Sequence, residues 1–273
     1  MTTFLVKQLH RDFVIESYCT NLDSAIAGYL HTYTAHSHGT EHQGPQGHDV
    51  GNGGSLVRGK GSLASGVRIQ VLGVVNRTPI GVQEALQLSE WVLDVIALGK
   101  ADPILVLVDS DSQRMSKREE LLGLNEYLAH LAKTLIHADL KGHATVGLLY
   151  GHTAAGAFIA TALAARTLVA LPGAHPEVMD LPSMARVTKL PLEVLQEKAK
   201  STPVFAPGLE NLVQTGAVFA SWDQKRSLAG QLQSLLEQSQ GQHDQRDALG
   251  KERNGRPKAA DIQKRVHELA LQA

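Results

Sequence analysis

Two short stretches of this sequence hold the residue types best suited to chemistry. In Leu148-Leu-Tyr150-Gly151-His152-Thr153-Ala-Ala155-Gly156-Ala157-Phe158 an apolar run stops at a glycine and gives way to small residues. Gly151 permits a tight turn, Thr153 is placed to cap a following helix, and no bulky side chain fills that helix's first turn. Free N–H groups at such a junction can approach a ligand oxygen closely, which suits an oxyanion hole for an enolate or tetrahedral intermediate. Simple close packing of small residues gives the same pattern, and the local sequence leaves both readings open. The second stretch, Asp109-Ser110-Asp111-Ser112-Gln113, follows the apolar run Pro103–Val108, where open α/β sheets place ligand-binding loops. Asp109 and Asp111 suit a base or its orienting partner, although such residues more often cap turns. Gly-x-Ser-x-Gly is absent, so no nucleophile elbow is present.

Other candidate motifs are weaker. Gly54-Ser-Leu-Val-Arg-Gly59-Lys60 has phosphate-loop spacing, but Gly61 stands where Ser or Thr must hold magnesium. His31, His36, His38, His42 and His48 could ligate a metal, yet no pair has a dependable helical spacing, and a solvated insert is the expectation. Cys19 is the only cysteine, which excludes an internal disulfide framework and a cysteine-built zinc site. With 26 basic against 27 acidic residues, charge gives no reason to expect nucleic acid or an anionic membrane as partner. No apolar run is long enough to span a bilayer, and the amino terminus does not read as a signal peptide. A soluble, cytoplasmic protein is expected.

The elements that must position the two loops are legible from periodicity. Strands are expected at 67–75, 103–108, 144–150 and 167–171, and helices at 82–96, 116–136 and 154–165, in the order of an α/β fold with parallel strands. In the 116–136 helix, Ser116 and Glu119 form a capping box, and Leu121, Leu124, Leu128, Leu131 and Leu135 form one apolar stripe. The chain divides into an irregular region 1–66 with a flexible Gly/His-rich segment 31–54, a folded body 67–222, and a polar region 223–273. In the last, 239–258 reads as a mobile linker before a short final helix at 262–271.

At its two loops and beyond, the chain resembles the gamma subunit of biotin-independent malonate decarboxylase. The likeness runs from about Ile80 to Trp222. It rests on Leu107-Val-Asp-Ser-Asp-Ser-Gln113, Ser116-Lys-Arg-Glu-Glu-Leu-Leu-Gly123, Asn125-Glu-Tyr-Leu-Ala-His-Leu-Ala132, Leu149-Tyr-Gly151 and Ala154-Ala-Gly-Ala-Phe158. Two more stretches are Val178-Met-Asp-Leu-Pro-Ser-Met-Ala-Arg-Val-Thr-Lys189 and Ser201-Thr-Pro-Val-Phe-Ala-Pro-Gly208. Ser112, His152 and Ala157 depart from the usual family pattern.

The resemblance implies a crotonase-like α/β fold (a ββα superhelix), related to a carboxyltransferase half. It implies a beta-subunit partner and a malonyl thioester carried on an acyl carrier protein, with a coenzyme A-derived prosthetic group, decarboxylated without biotin to an acetyl thioester and CO2. No cofactor bound by this chain and no metal are expected. On this reading the backbone N–H groups of Gly156 and Ala157 are the catalytic oxyanion donors. Ser110, Ser112, Gln113, Tyr150, Gly151, His152 and Ala155 form the substrate-binding walls, and the helical carboxyl-terminal region makes subunit contacts. A non-catalytic scaffold for the beta subunit, or another crotonase-type enzyme acting on an enoyl thioester, are the alternatives.

Overall fold

The computed structural model describes residues 14–18, 55–203, 207–239 and 244–272. Among them the strands are β1 (Val14–Tyr18), β2 (Ser55–Ser62), β3 (Arg68–Val75), β4 (Ile104–Val108), β5 (Thr145–Leu149), β6 (His152–Ala154), β7 (Thr167–Ala170), β8 (His175–Glu177) and β9 (Ala220–Ser221). The helices are α1 (Val82–Ala97), α2 (Lys117–Leu121), α3 (Leu124–Leu140), α4 (Ala155–Ala160), α5 (Leu181–Thr188), α6 (Leu192–Ser201), α7 (Leu209–Gln214), α8 (Leu228–Gln238), α9 (Arg246–Glu252) and α10 (Ala259–Ala270).

A seven-stranded sheet runs in the order β1-β2-β3-β4-β5-β7-β9, antiparallel as far as β3 and parallel from β3 onward. Every residue of β4 and β5 is buried, as expected of parallel strands covered on both faces. On one face Leu88, Val92, Leu128, Leu135 and Phe158 pack together from α1, α3 and α4. On the other, Leu105, Leu107, Leu148 and Val169 pack against Trp222 and Leu232. A separate two-stranded sheet, β6 with β8, stands beyond the carboxyl end of β5.

The parallel α/β body expected from periodicity is present, with four differences. The first lies in region 1–66, where β2 pairs with β3 over its whole length. Its inward positions are Val57, Gly59 and Gly61, and two glycines there hide the period-two signal. The 31–54 segment, with its histidines, lies outside the described residues. The second difference is that the 116–136 helix is broken at Gly123, which adopts φ 78° and caps α3. Leu121, expected in the buried stripe, therefore sits on the separate α2 and is 77% exposed, while Leu124, Leu128, Leu131 and Leu135 are buried.

Third, half of the capping box forms: Ser116 Oγ accepts from Glu119 N–H at 3.3 Å. The Glu119 carboxylate turns away and accepts from Val82 N–H of α1 at 2.7 Å. Fourth, α9 occupies part of the expected 239–258 linker. Arg246 donates to the Leu163 carbonyl, Arg253 to those of Val213, Val218 and Phe219, and Arg256 to that of Thr215, each at 2.8 Å. Docking through charged side chains on backbone oxygens leaves no apolar stripe for periodicity to detect.

Candidate functional site

Because β4 and β5 are neighbours, the loops leaving their carboxyl ends lie side by side. A row of hydrogen bonds joins them. Ser110 N–H donates to the His152 carbonyl at 2.8 Å, and His152 N–H to Asp109 Oδ1 at 3.0 Å. The buried hydroxyls of Ser110 and Thr153 lie 2.8 Å apart. His152 Nδ1 lies 3.1 Å from the Ser110 carbonyl, which can only accept, so the ring proton that makes this bond is on Nδ1. Farthest along, Gly156 N–H donates to Gln113 Oε1 at 2.8 Å.

The backbone is shaped for these contacts. A Cβ on Gly151 would collide with the Asp109 carboxylate, so the glycine leaves room for the group that holds the His152 amide. Ala155, at the β6–α4 junction, has φ 49°, a left-handed conformation that costs a non-glycine residue about 1–2 kcal/mol. It fixes the direction of the next peptide N–H, that of Gly156. A Cβ on Gly156 would meet Leu128 Cδ1 at 3.1 Å and Gln113 Oε1 at 3.2 Å.

The first loop is pinned from its far side. Ile80 N–H donates to the Ser112 carbonyl at 2.9 Å and Arg114 N–H to the Ile80 carbonyl at 2.8 Å, while Ser112 Oγ donates to the Gln113 carbonyl at 2.9 Å. Arg114 Nη2 reaches Glu84 Oε1 at 2.7 Å, and Glu84 Oε2 accepts from Gly81 N–H at 2.9 Å at the start of α1. Sequence reasoning missed this clamp. Its visible trace was Glu84 standing three residues after Gly81 at a helix start; the arginine comes from a distant loop and left no local signal.

Ser110, Ser112, Gln113, Gly151, His152, Ala155 and Gly156 are thus brought together. Three expectations change. Gly156 N–H does not stand open but is bonded to Gln113. Thr153 does not cap α4, whose N-cap is Ala154, because its hydroxyl faces Ser110. Tyr150 is fully buried on the sheet face opposite Leu128 and Phe158. It continues the alternation of β5, in which Val146 and Leu148 point to the same face while Leu149 points to the other. Ala157 N–H belongs to the same turn, and the Ala157 methyl is buried with Phe158.

His152 is partly buried, stacks on His175 with ring centroids 5.9 Å apart, and places Nε2 3.7 Å from Glu177 Oε1. Glu177 also lines a cavity of about 770 Å³ with Val178, Met184, Leu212 and Arg246. Among the described residues no group of three or more His, Cys, Asp or Glu is arranged to hold a metal. No helix among them is long and apolar enough to cross a membrane.

A family model described as the malonate decarboxylase gamma subunit matches residues 75–270, a span that includes both loops and the clamp around Arg114. The chain belongs to this family. Its curated relative, the malonyl-S-ACP:biotin-protein carboxyltransferase MADD of Malonomonas rubra, is 32% identical over 154 residues, 53% of this chain and 53% of that protein. The chain therefore spans about half the length of the curated relative it matches. A Pseudomonas malonate decarboxylase hetero-tetramer in complex with coenzyme A is 26% identical, with TM-score 0.65 over 78% of this chain and 90% of the other. A Pseudomonas MdcD–MdcE hetero-dimer is 25% identical, with TM-score 0.63 over 82% and 93%. The fold is crotonase-like and carboxyltransferase-related, as the resemblance implied.

Proposed function

We propose that this chain is the gamma subunit of a malonate decarboxylase complex that converts a malonyl thioester on an acyl carrier protein into an acetyl thioester and CO2, without biotin. The observation that carries the reading is the hydrogen-bonded pair of loops at the carboxyl ends of β4 and β5, in a chain of this family. In the reaction the bond from the α-carbon to the carboxylate breaks, and its electron pair moves toward the thioester carbonyl. CO2 leaves, an enolate oxygen carries the charge, and a proton then adds to carbon. The principal requirement is a set of fixed donors for that oxygen.

The Ala157 N–H, in the turn that Gly156 opens, and the wall formed by 110–113 are assigned this task, with the Gly156 N–H engaged by Gln113. For the returning proton His152 is the better placed of the two candidates, since its side chain is 20% exposed whereas Tyr150 is sealed in the core. The chain itself holds no cofactor in this scheme. The coenzyme A-derived arm belongs to the carrier, and the cavity beside Glu177 offers it room. The beta subunit is the proposed partner, a reading supported by the Pseudomonas hetero-dimer and by the apolar residues that α5 leaves uncovered.

A second reading is favoured by the Malonomonas relative: transfer of the carboxyl group to a biotin nitrogen instead of its release. The test is to co-express the chain with a beta subunit and supply malonyl-acyl carrier protein free of biotinylated protein. CO2 and acetyl thioester should form in equal amounts. Turnover only after addition of a biotinylated acceptor favours the second reading, and equal turnover by the beta subunit alone makes this chain a scaffold.

A further inference from the structure

We infer that the side-chain amide of Gln113, held by Gly156 N–H, is the donor this chain turns toward the enolate oxygen; the inference rests on the decarboxylase reading. A backbone N–H can only donate, so the atom facing Gly156 is Oε1 and the two N–H bonds of Nε2 point elsewhere. Gln113 is only partly buried, and among the described residues no group accepts from Nε2.

The surroundings hold the amide as a fixed wall. Glycine at 156 leaves room for it, since a Cβ would stand 3.2 Å from Oε1 and 3.4 Å from Cδ. The Ile80, Ser112 and Arg114–Glu84 contacts fix the backbone from which the side chain springs. Ala155, at φ 49°, directs the anchoring N–H. Strain retained at such a point is accounted for if aiming that bond is its purpose.

The chemistry follows from polarisation. An amide whose oxygen accepts a hydrogen bond donates more strongly through its nitrogen, by roughly 10–30% per bond. A donor fixed beforehand needs no reorganisation as charge develops, and its bond to oxygen strengthens as the carbonyl becomes an enolate. Its value therefore falls on turnover and not on substrate binding. Gly156 is a positioning residue in this scheme, acting through Gln113.

The rival arrangement is that Gln113 merely covers Gly156 N–H until a substrate oxygen displaces it. The two make opposite predictions. In the assembled beta–gamma complex, Gln113→Glu keeps the size and the acceptor for Gly156 N–H but replaces the NH2 group with an oxygen. Both Gln113→Glu and Gln113→Ala should lower kcat about 100-fold or more, the effect of losing one oxyanion donor. KM should stay within about threefold, with assembly and melting temperature unchanged. Gln113→Ala turnover equal to or above that of the unaltered complex overturns the inference.

A binding measurement reads the same point without turnover. A coenzyme A thioether ending in a nitronate, an anionic mimic of the enolate, should lose about tenfold or more affinity in Gln113→Ala, while acetyl-coenzyme A changes less than threefold. Equal effects on both ligands overturn the inference. An unaltered complex that binds the nitronate through Gln113 but releases no CO2 refutes the decarboxylase reading alone.

Discussion

At Gly151 a single hydrogen stands where a methyl group would meet the Asp109 carboxylate. Gly151→Ala should push that carboxylate off the His152 amide, leaving buried polar groups unpaired at about 1–3 kcal/mol. Calorimetry should show a lower melting temperature together with lost turnover. Gly156→Val should leave the fold in place but press against Gln113 Oε1 and Leu128 Cδ1, lowering kcat by about 100-fold while the subunits still assemble. Both glycines stood out in the sequence; the groups they make room for did not. Those groups belong to Asp109 and Gln113, which reach the glycines across neighbouring strands. Tyr150 is the opposite case: it reads as a polar group in a promising turn, and the two-residue alternation of β5 turns it into the core.

Among the elements, α5 has Pro182 in its first turn and no buried residue, with Val187 68% exposed. Apolar side chains left uncovered in this way suit a subunit interface better than an internal core. Val187→Asp should leave the stability of the free chain within about 0.5 kcal/mol, as for most exposed sites. It should weaken capture of the beta subunit strongly in a pull-down or titration; undiminished binding removes α5 from the interface.

The cap of the same helix makes it acid-sensitive. Hydrogen bonds from the Ser183 side chain and backbone N–H hold the Asp180 carboxyl below its ordinary value of 3.8, with Arg186 adding to the effect. A depressed folded value means the cap stabilises fully above the ordinary value and is lost as pH falls through the lower one. Asp180→Ala should cost the helix about 1 kcal/mol at neutral pH and less once the carboxyl is protonated and its charge no longer strengthens the cap. Hydrogen exchange of the 183–188 amides against pH measures this. Elements with a strong apolar period, such as α1, β4 and the later part of α3, were readable in advance. β2 and α9 were not, since glycines fill the inward positions of one and arginines dock the other.

Across the whole molecule, the carboxyl-terminal region is fastened by charge onto backbone. Arg253 donates to the carbonyls of Val213 in α7 and of Val218 and Phe219, just before β9. Hydrogen bonds to a charged group contribute about 1.5–3 kcal/mol each, though not additively. Arg253→Ala should therefore lower unfolding free energy by about 3 kcal/mol in urea titration, with the midpoint displaced and the slope kept.

This fastening has a consequence in time. Residues 246–256 leave the ribosome after every strand of the sheet has been made, yet they complete the hydrogen bonding beside its outermost strand. Until they arrive, β9 is tied to β7 mainly by Phe219 N–H to Leu168 and Trp222 N–H to Ala170, at 2.7 Å each. A chain cut short before Arg253 would therefore carry a loosely closed strand edge, the kind of surface on which neighbouring chains pair wrongly.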